Sequence, residues 1–250
     1  MDVLHSRQLW RLASLLSAVL PALTLATLLV PYSVGVARGS LRPLLPTISE
    51  AGMCPLTAPL FGWLASGAAV AGAVCSLSLA ALLQRRGESA RWSRAVLVLG
   101  LVGAVATALA AGARLDRHRS VHLSAVAVLG VTGGAMCLLL AALTPHSQPR
   151  LRLLRWGMLV AAAALVAAFT GAQLAKPVGY HELQLRADAA CNATELWQLG
   201  WRPGTTLFTI QLVTATSEWS CLLLLSLFVA TFSDELRRQP DDDPGHQLLG

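Results

Sequence analysis

Glu218 is the residue whose position calls for chemistry. It stands inside the run TATSEWSCLLLLSLFVATF (214–232), otherwise apolar enough for a membrane helix, and Gln211, Thr214, Glu218 and Cys221 follow the i, i+3, i+7, i+10 spacing of one helix face. An acid at the centre of a membrane helix costs about 2.5–3.5 kcal/mol on insertion scales, so it must find a partner, reach water or stay neutral. Two readings of this intramembrane polar stripe are open. One is a carboxylic acid hydrogen-bonded to a Ser, a Thr or a backbone carbonyl on a neighbouring helix, which is the favoured reading. The other is a site for an ion, a proton or a lipid headgroup. Trp219, one position round, is expected to face lipid or an adjacent helix.

Other groups that could do chemistry are sparse. His118, His122 and His181 are expected on one side of the membrane with Asp116, Glu182 and Asp188, but their spacing is not that of metal ligands. They read as solvated loop histidines, with pH sensing in an acidic lumen as a secondary role. No catalytic residue, metal or cofactor is expected: hydrolysis or acyl transfer needs a nucleophile with a base beside it, or a metal held by His and carboxylates, and these residues lack a recognised ligand spacing. The segment RGSLRPLLPTISEAGMCP (38–55) carries Pro43, Pro46, Gly52 and Pro55, which predict a compact turn pressed against the helices. Glu50 is its only carboxylate, and Ser49 or Glu50 is expected to cap a short helix or accept backbone N–H groups.

The elements that must position these residues follow from hydropathy. The 250 residues are 55% hydrophobic and 13% charged, with a mean hydropathy of +0.60, too apolar for a soluble domain. Runs long enough to cross a hydrocarbon core of roughly 30 Å occur at 13–36, 59–83, 95–113, 121–143, 156–174 and 206–232. The fold class is therefore all-α: a polytopic membrane protein with six transmembrane helices over residues 1–232 and a short disordered cytoplasmic tail over 233–250. The first run is too long for a signal peptide and reads as a retained helix. With both termini cytoplasmic, eleven of the 19 Lys and Arg lie inside, among them Arg86, Arg91 and Arg155, against eight outside. The sequon Asn192-Ala193-Thr194 then falls on the lumenal or extracellular side, where glycosylation occurs. Cys54 and Cys191 share that oxidising side and form a candidate disulfide, while Cys75, Cys137 and Cys221 read as small packing residues. Helix packing is expected through small residues, including the Gly130/Gly134 pair, Ser66, Gly67, Ala71, Gly72, Gly100 and Gly103. The expected partners are the lipid bilayer and a cytosolic protein complex on the tail. The net charge of +6 is scattered at helix ends instead of forming a stripe, which argues against nucleic acid.

GSLRPLLPTISEAGMCP resembles the signature of the damage-regulated autophagy modulator (DRAM) family and its transmembrane protein 150 relatives, carried here by Pro46, Ile48, Ser49, Glu50, Gly52 and Pro55. RSVH (119–122) and SEWSCLLLLSLFVATFSDEL (217–236) resemble the same group. Leu56-Thr57 stand where the family commonly has a carboxylate, and the loop with Cys191 and the sequon is longer than the family pattern. The resemblance implies a non-enzymatic membrane regulator. Some members promote autophagy from lysosomal membranes, others help recruit a phosphatidylinositol 4-kinase complex at the plasma membrane, and distant relatives remodel GPI anchors. A lipid-remodelling factor and a channel or transporter are the alternatives, since fold does not choose function.

Overall fold

Hydropathy marks where the chain can cross lipid, and polar residues of high helix propensity carry each helix past that stretch. The computed structural model describes residues 3–41, 46–115, 117–177 and 203–237. Among these there is no strand. Six long helices are present: α1 (Val3–Ala37), α3 (Ala58–Arg85), α4 (Ala90–Gly112), α5 (Arg119–Ala142), α6 (Pro149–Leu174) and α7 (Thr206–Ala230). Two short ones accompany them, α2 (Ile48–Ala51) before α3 and α8 (Ser233–Arg237) after α7. All six long helices have the length and hydropathy to span a membrane. Their apolar centres match the runs read from sequence, but α1 starts at residue 3 instead of 13, α4 at 90 instead of 95 and α6 at 149 instead of 156. The added turns hold Arg11, Arg91, Arg94, Arg150 and Arg152, whose stems can lie along apolar surface while the charge reaches water. Pro21 and Pro31 lie within α1. Gly39 ends that helix at φ +68°, which lets the Ser40 N–H reach back to the Gly35 carbonyl at 2.9 Å.

The long helices pack in the order α5, α4, α3, α1, α7, α6, and α6 barely touches α5. The array is thus an open ring with a seam between α5 and α6. At one end the core is Leu79, Leu83, Val96, Leu140, Phe228 and Phe232, with the thiols of Cys75 and Cys137 buried among them. At the other end a smaller cluster of Leu28, Ile48, Phe61 and Trp219 packs beneath α2.

Two expectations need correction. Gly100 and Gly103 do sit against neighbours: a Cβ at Gly100 would collide with Ser76, and one at Gly103 would lie 3.2 Å from Thr132 Oγ1. Gly67, Gly72, Gly130 and Gly134 do not, because a Cβ there would meet nothing within 4 Å. The Gly130/Gly134 pair lies on a helix that hardly meets α6, so it brings no helices together. Residues 233–237, assigned above to a disordered tail, instead form α8. Leu236 is buried there against the core, and Ser14 Oγ donates to the Ser233 carbonyl at 2.8 Å. Residues 238–250 lie outside the described residues, as do Asp116, His181, Glu182, Asp188, Cys191 and Asn192.

Candidate functional site

A single helical turn cannot hold itself together in isolation, since nucleation costs more than one turn returns. α2 exists because Thr47-Ile48-Ser49-Glu50 is a capping box. The Glu50 N–H donates to Thr47 Oγ1 at 3.3 Å, and the Thr47 N–H donates to Glu50 Oε2 at 2.7 Å. The turn is then pinned to the bundle from two sides. Gln211 Nε2 of α7 donates to Glu50 Oε1 at 2.9 Å and to Oε2 at 3.1 Å. Two turns further along α7, Glu218 Oε2 accepts the Ile48 N–H at 2.9 Å. Trp219 Nε1 donates to the Pro46 carbonyl at 3.0 Å. From α5, His122 Nε2 lies 2.8 Å from Ser49 Oγ.

This geometry says what Glu218 is doing. By helix rise it lies about 18 Å beyond the start of α7, yet the loop it binds also touches His122, in the first turn of α5. The start of α7 therefore rises past α5, and Glu218 sits at the level where the 46–57 loop dips into the ring. Its partner is a backbone N–H of that loop, not the neighbouring helix that the sequence reading favoured. An anionic or polar oxygen suits the free amides of a helix start. Thr214, on the same face, is fully buried and donates to the Ile210 carbonyl of its own helix at 2.9 Å. Of the two positions expected for Trp219, the one observed is against an adjacent helix: it is buried under the loop, edge-on to Tyr32 of α1 with ring centroids 5.7 Å apart.

His122 is the second correction. It is 5% exposed, not a solvated loop residue, because its Nδ1 lies 2.9 Å from the carbonyls of both Ala110 and Ala113 at the end of α4. Those acceptors assign the proton to Nδ1, leaving Nε2 to accept from the Ser49 hydroxyl. His118 stays exposed at the start of α5, where its carbonyl takes the His122 N–H at 2.9 Å. Gly52 lies so close to Phe61 that a Cβ would reach 2.7 Å from its ring, while Pro55 is exposed. Cys54 is buried and disulfide-bonded, and Cys75, Cys137 and Cys221 are free. Among the described residues no cluster of His, Cys, Asp and Glu could hold a metal.

Sequence reasoning missed a cluster at the opposite end. Arg155 of α6, read above as one more topology charge, is 0% exposed. Its Nε donates to Thr231 Oγ1 at 2.9 Å, Nη2 to the Thr231 carbonyl at 3.0 Å and Nη1 to Thr144 Oγ1 at 3.0 Å. Its guanidinium lies 3.4 Å from the Phe232 ring centre. Glu235 of α8 pairs with Arg155 at 3.2 Å and with Arg86 at 2.7 Å. The acidic pair Asp234-Glu235 directly after an apolar run was the available signal.

The sequence model of the Frag1/DRAM/Sfk1/Cwh43P N-terminal domain matches residues 12–239. The chain belongs to this Frag1/DRAM/Sfk1 family. It is an integral membrane protein with six apolar helices long enough to span a bilayer, and the two clusters just described fall within the matched region. Among its relatives is DNA damage-regulated autophagy modulator protein 1 of Mus musculus, 23% identical over 219 residues, 85% of this chain and 86% of the mouse protein. The same protein of Homo sapiens matches with the same identity and coverage. No solved structure matches this Frag1/DRAM/Sfk1 chain.

Proposed function

We propose that this chain is a non-enzymatic multi-pass regulator of autophagy, acting from the lysosomal or endosomal membrane or from the plasma membrane. Support comes from its match, over 85% of its length, to two proteins named as autophagy modulators. The observation that carries the reading is how the polar groups at the α2 end are spent. Glu50, Gln211, Trp219 and one oxygen of Glu218 are committed to holding the 46–57 loop, a use suited to a fixed surface presented to partners. Both termini are cytoplasmic in this reading, and a cytosolic complex, a phosphoinositide kinase included, docks on residues 238–250. Asn192 carries a glycan, and Cys191 is the partner of Cys54. The test is autophagic flux in cells lacking the protein. Wild type should restore it, and a variant in which Glu50 and Gln211 are both Ala, present in normal amount, should not. Full restoration by that variant would refute the role given to the loop.

One observation favours a second reading, a lipid-remodelling factor. The Ser49 hydroxyl, held 2.8 Å from an imidazole whose other nitrogen is fixed by two carbonyls, is a nucleophile–base pair in outline. Purified protein that deacylates or reacylates a lipid, and loses that activity in Ser49→Ala, would establish it over the first.

A further inference from the structure

The open ring encloses a cavity of about 350 Å³ to which all six long helices contribute, through Leu20, Phe61, Leu99, Leu129, Phe169 and Leu222. Its walls are almost wholly apolar. The acid and the imidazole of the lining, Glu218 and His122, stand together with Ser49 at the α2 end, whereas the other polar lining residues are Ser and Thr hydroxyls, among them Ser76 and Ser226 further along. From Glu218 to Val229, both of which line it, α7 advances eleven residues, about 16 Å by helix rise. That is close to half of the roughly 30 Å hydrocarbon thickness of a bilayer, the depth of one leaflet. The polar end lies level with the first turn of α5, where that leaflet meets its headgroups.

We propose that this cavity binds one membrane lipid with an uncharged, hydroxyl-bearing head, its tail lying between α5 and α6 and its hydroxyl at Ser49, His122 and Glu218.

Several features favour this occupant. Apolar interiors pack to near-crystalline density, and a void of this size loses dispersion contacts along its whole lining. Water gains little along the apolar stretches of the chamber, where polar partners are few. A lipid tail can enter sideways, because α5 and α6 hardly touch along the seam. Gly72 of α3 and Gly133 of α5 line different walls, and a Cβ on either would meet nothing within 4 Å, so space is kept open where alanine or leucine would have fitted. The head's chemistry follows from the polar end. No Lys or Arg is among the lining residues, and the carboxyl groups of Glu218 and Glu50 lie on the two sides of α2. Among the lining groups a phosphate would meet the Glu218 carboxyl and no cation, with Glu50 close by, although the charge of Lys176, just past α6, reaches Glu218. A hydroxyl finds acceptors in Glu218 and in the Ser49 oxygen, whose own proton is given to His122 Nε2. Sterols and diacylglycerols both carry such a head. The site goes beyond the autophagy reading and stands or falls separately from it.

Full-length protein in nanodiscs, irradiated with diazirine-bearing cholesterol, diacylglycerol or phosphatidylserine, tests the proposal. One of the two hydroxyl lipids should label peptides of α5 and α6 that line the seam, in competition with its unlabelled form, and which one labels identifies the source. Phosphatidylserine should label only lipid-facing residues, without competition. Gly133→Leu and Gly72→Leu, each filling the cavity from a different wall, should lower the competed labelling at least about fivefold, while Val131→Leu on the lipid-facing side should leave it unchanged. Competed labelling by phosphatidylserine, no competed labelling by either hydroxyl lipid, or undiminished labelling in a cavity-filling variant with wild-type thermal stability would overturn it. If one glycine variant fails to fold, the other and the competition still decide.

Discussion

Glu50→Ala is the sharpest perturbation of the loop. Glu50 is 2% exposed and accepts from two buried donors, the Thr47 N–H and Gln211 Nε2. Truncation leaves both without their acceptor, and an orphaned buried donor costs about 1–3 kcal/mol. Taking the middle of that range for each gives a loss of about 4 kcal/mol, with about 1 kcal/mol as the floor if intramembrane averages near 0.6 kcal/mol per bond apply instead. Glu50→Gln keeps the shape and one acceptor oxygen and should lose less. The partner's contribution separates out in a double-mutant cycle, because Gln211→Ala removes one donor that Glu50→Ala strands. Glu50 and Gln211 should therefore couple by about 1–2 kcal/mol, within the range found for touching residues. Purified protein titrated with SDS in mixed micelles, followed by tryptophan fluorescence, gives the four free energies. A Glu50→Ala protein within about 0.5 kcal/mol of wild type, the range of inert surface changes, would refute the reasoning. So would strict additivity with Gln211→Ala.

The remaining predictions concern other contacts. Glu218→Gln retains an oxygen for the Ile48 N–H and should fold, traffic and support flux as wild type does, whereas Glu218→Leu strands that amide and should cost about 1–3 kcal/mol in the same titration; a Gln variant present in normal amount yet silent would assign the carboxylate a functional charge. Glu235→Ala leaves the buried Arg155 without its carboxylate and should destabilise by about 3–5 kcal/mol, more than removal of any exposed arginine pair; equal melting of mutant and wild type would contradict it. Non-reducing mass spectrometry should recover one cross-linked peptide joining Cys54 and Cys191, and a free Cys191 thiol would refute that pairing. Asn192→Gln should abolish a glycan shift on gels, and an unshifted wild-type band would count against the proposed topology.

The sequence disclosed these sites unevenly. Six apolar runs sufficed for the long helices because lipid leaves the backbone few other ways to satisfy its polar groups. The i, i+7 spacing of Gln211 and Glu218 placed both on one face, and both meet α2, but their partners lie 161 and 170 residues away, beyond any local pattern. Thr214 shared the face and bonds only its own helix, as hydroxyls on helices often do. Thr47-x-x-Glu50 is a local signature, and the role of Glu50 as a cap was legible from it. His122 was misjudged because an RSVH turn reads as polar loop until the end of α4 folds over it. Arg155 was misjudged because arginines at helix ends ordinarily report topology, whereas here Thr144, Thr231 and Phe232, with Glu235 of the α8 that folds back beneath α1 and α3, hold the guanidinium inward.

Hydrogen–deuterium exchange of the 46–57 segment in nanodiscs tests the central claim, that this loop is a docked part of the bundle, most directly. Amides bonded into buried structure exchange only through opening. In wild type the peptide containing Ile48 and Glu50 should exchange at least about a hundredfold more slowly than an unstructured peptide of the same sequence, and Glu218→Leu or Glu50→Ala should remove most of that protection while the six long helices keep theirs. Exchange of the wild-type segment at the unstructured rate would contradict the account.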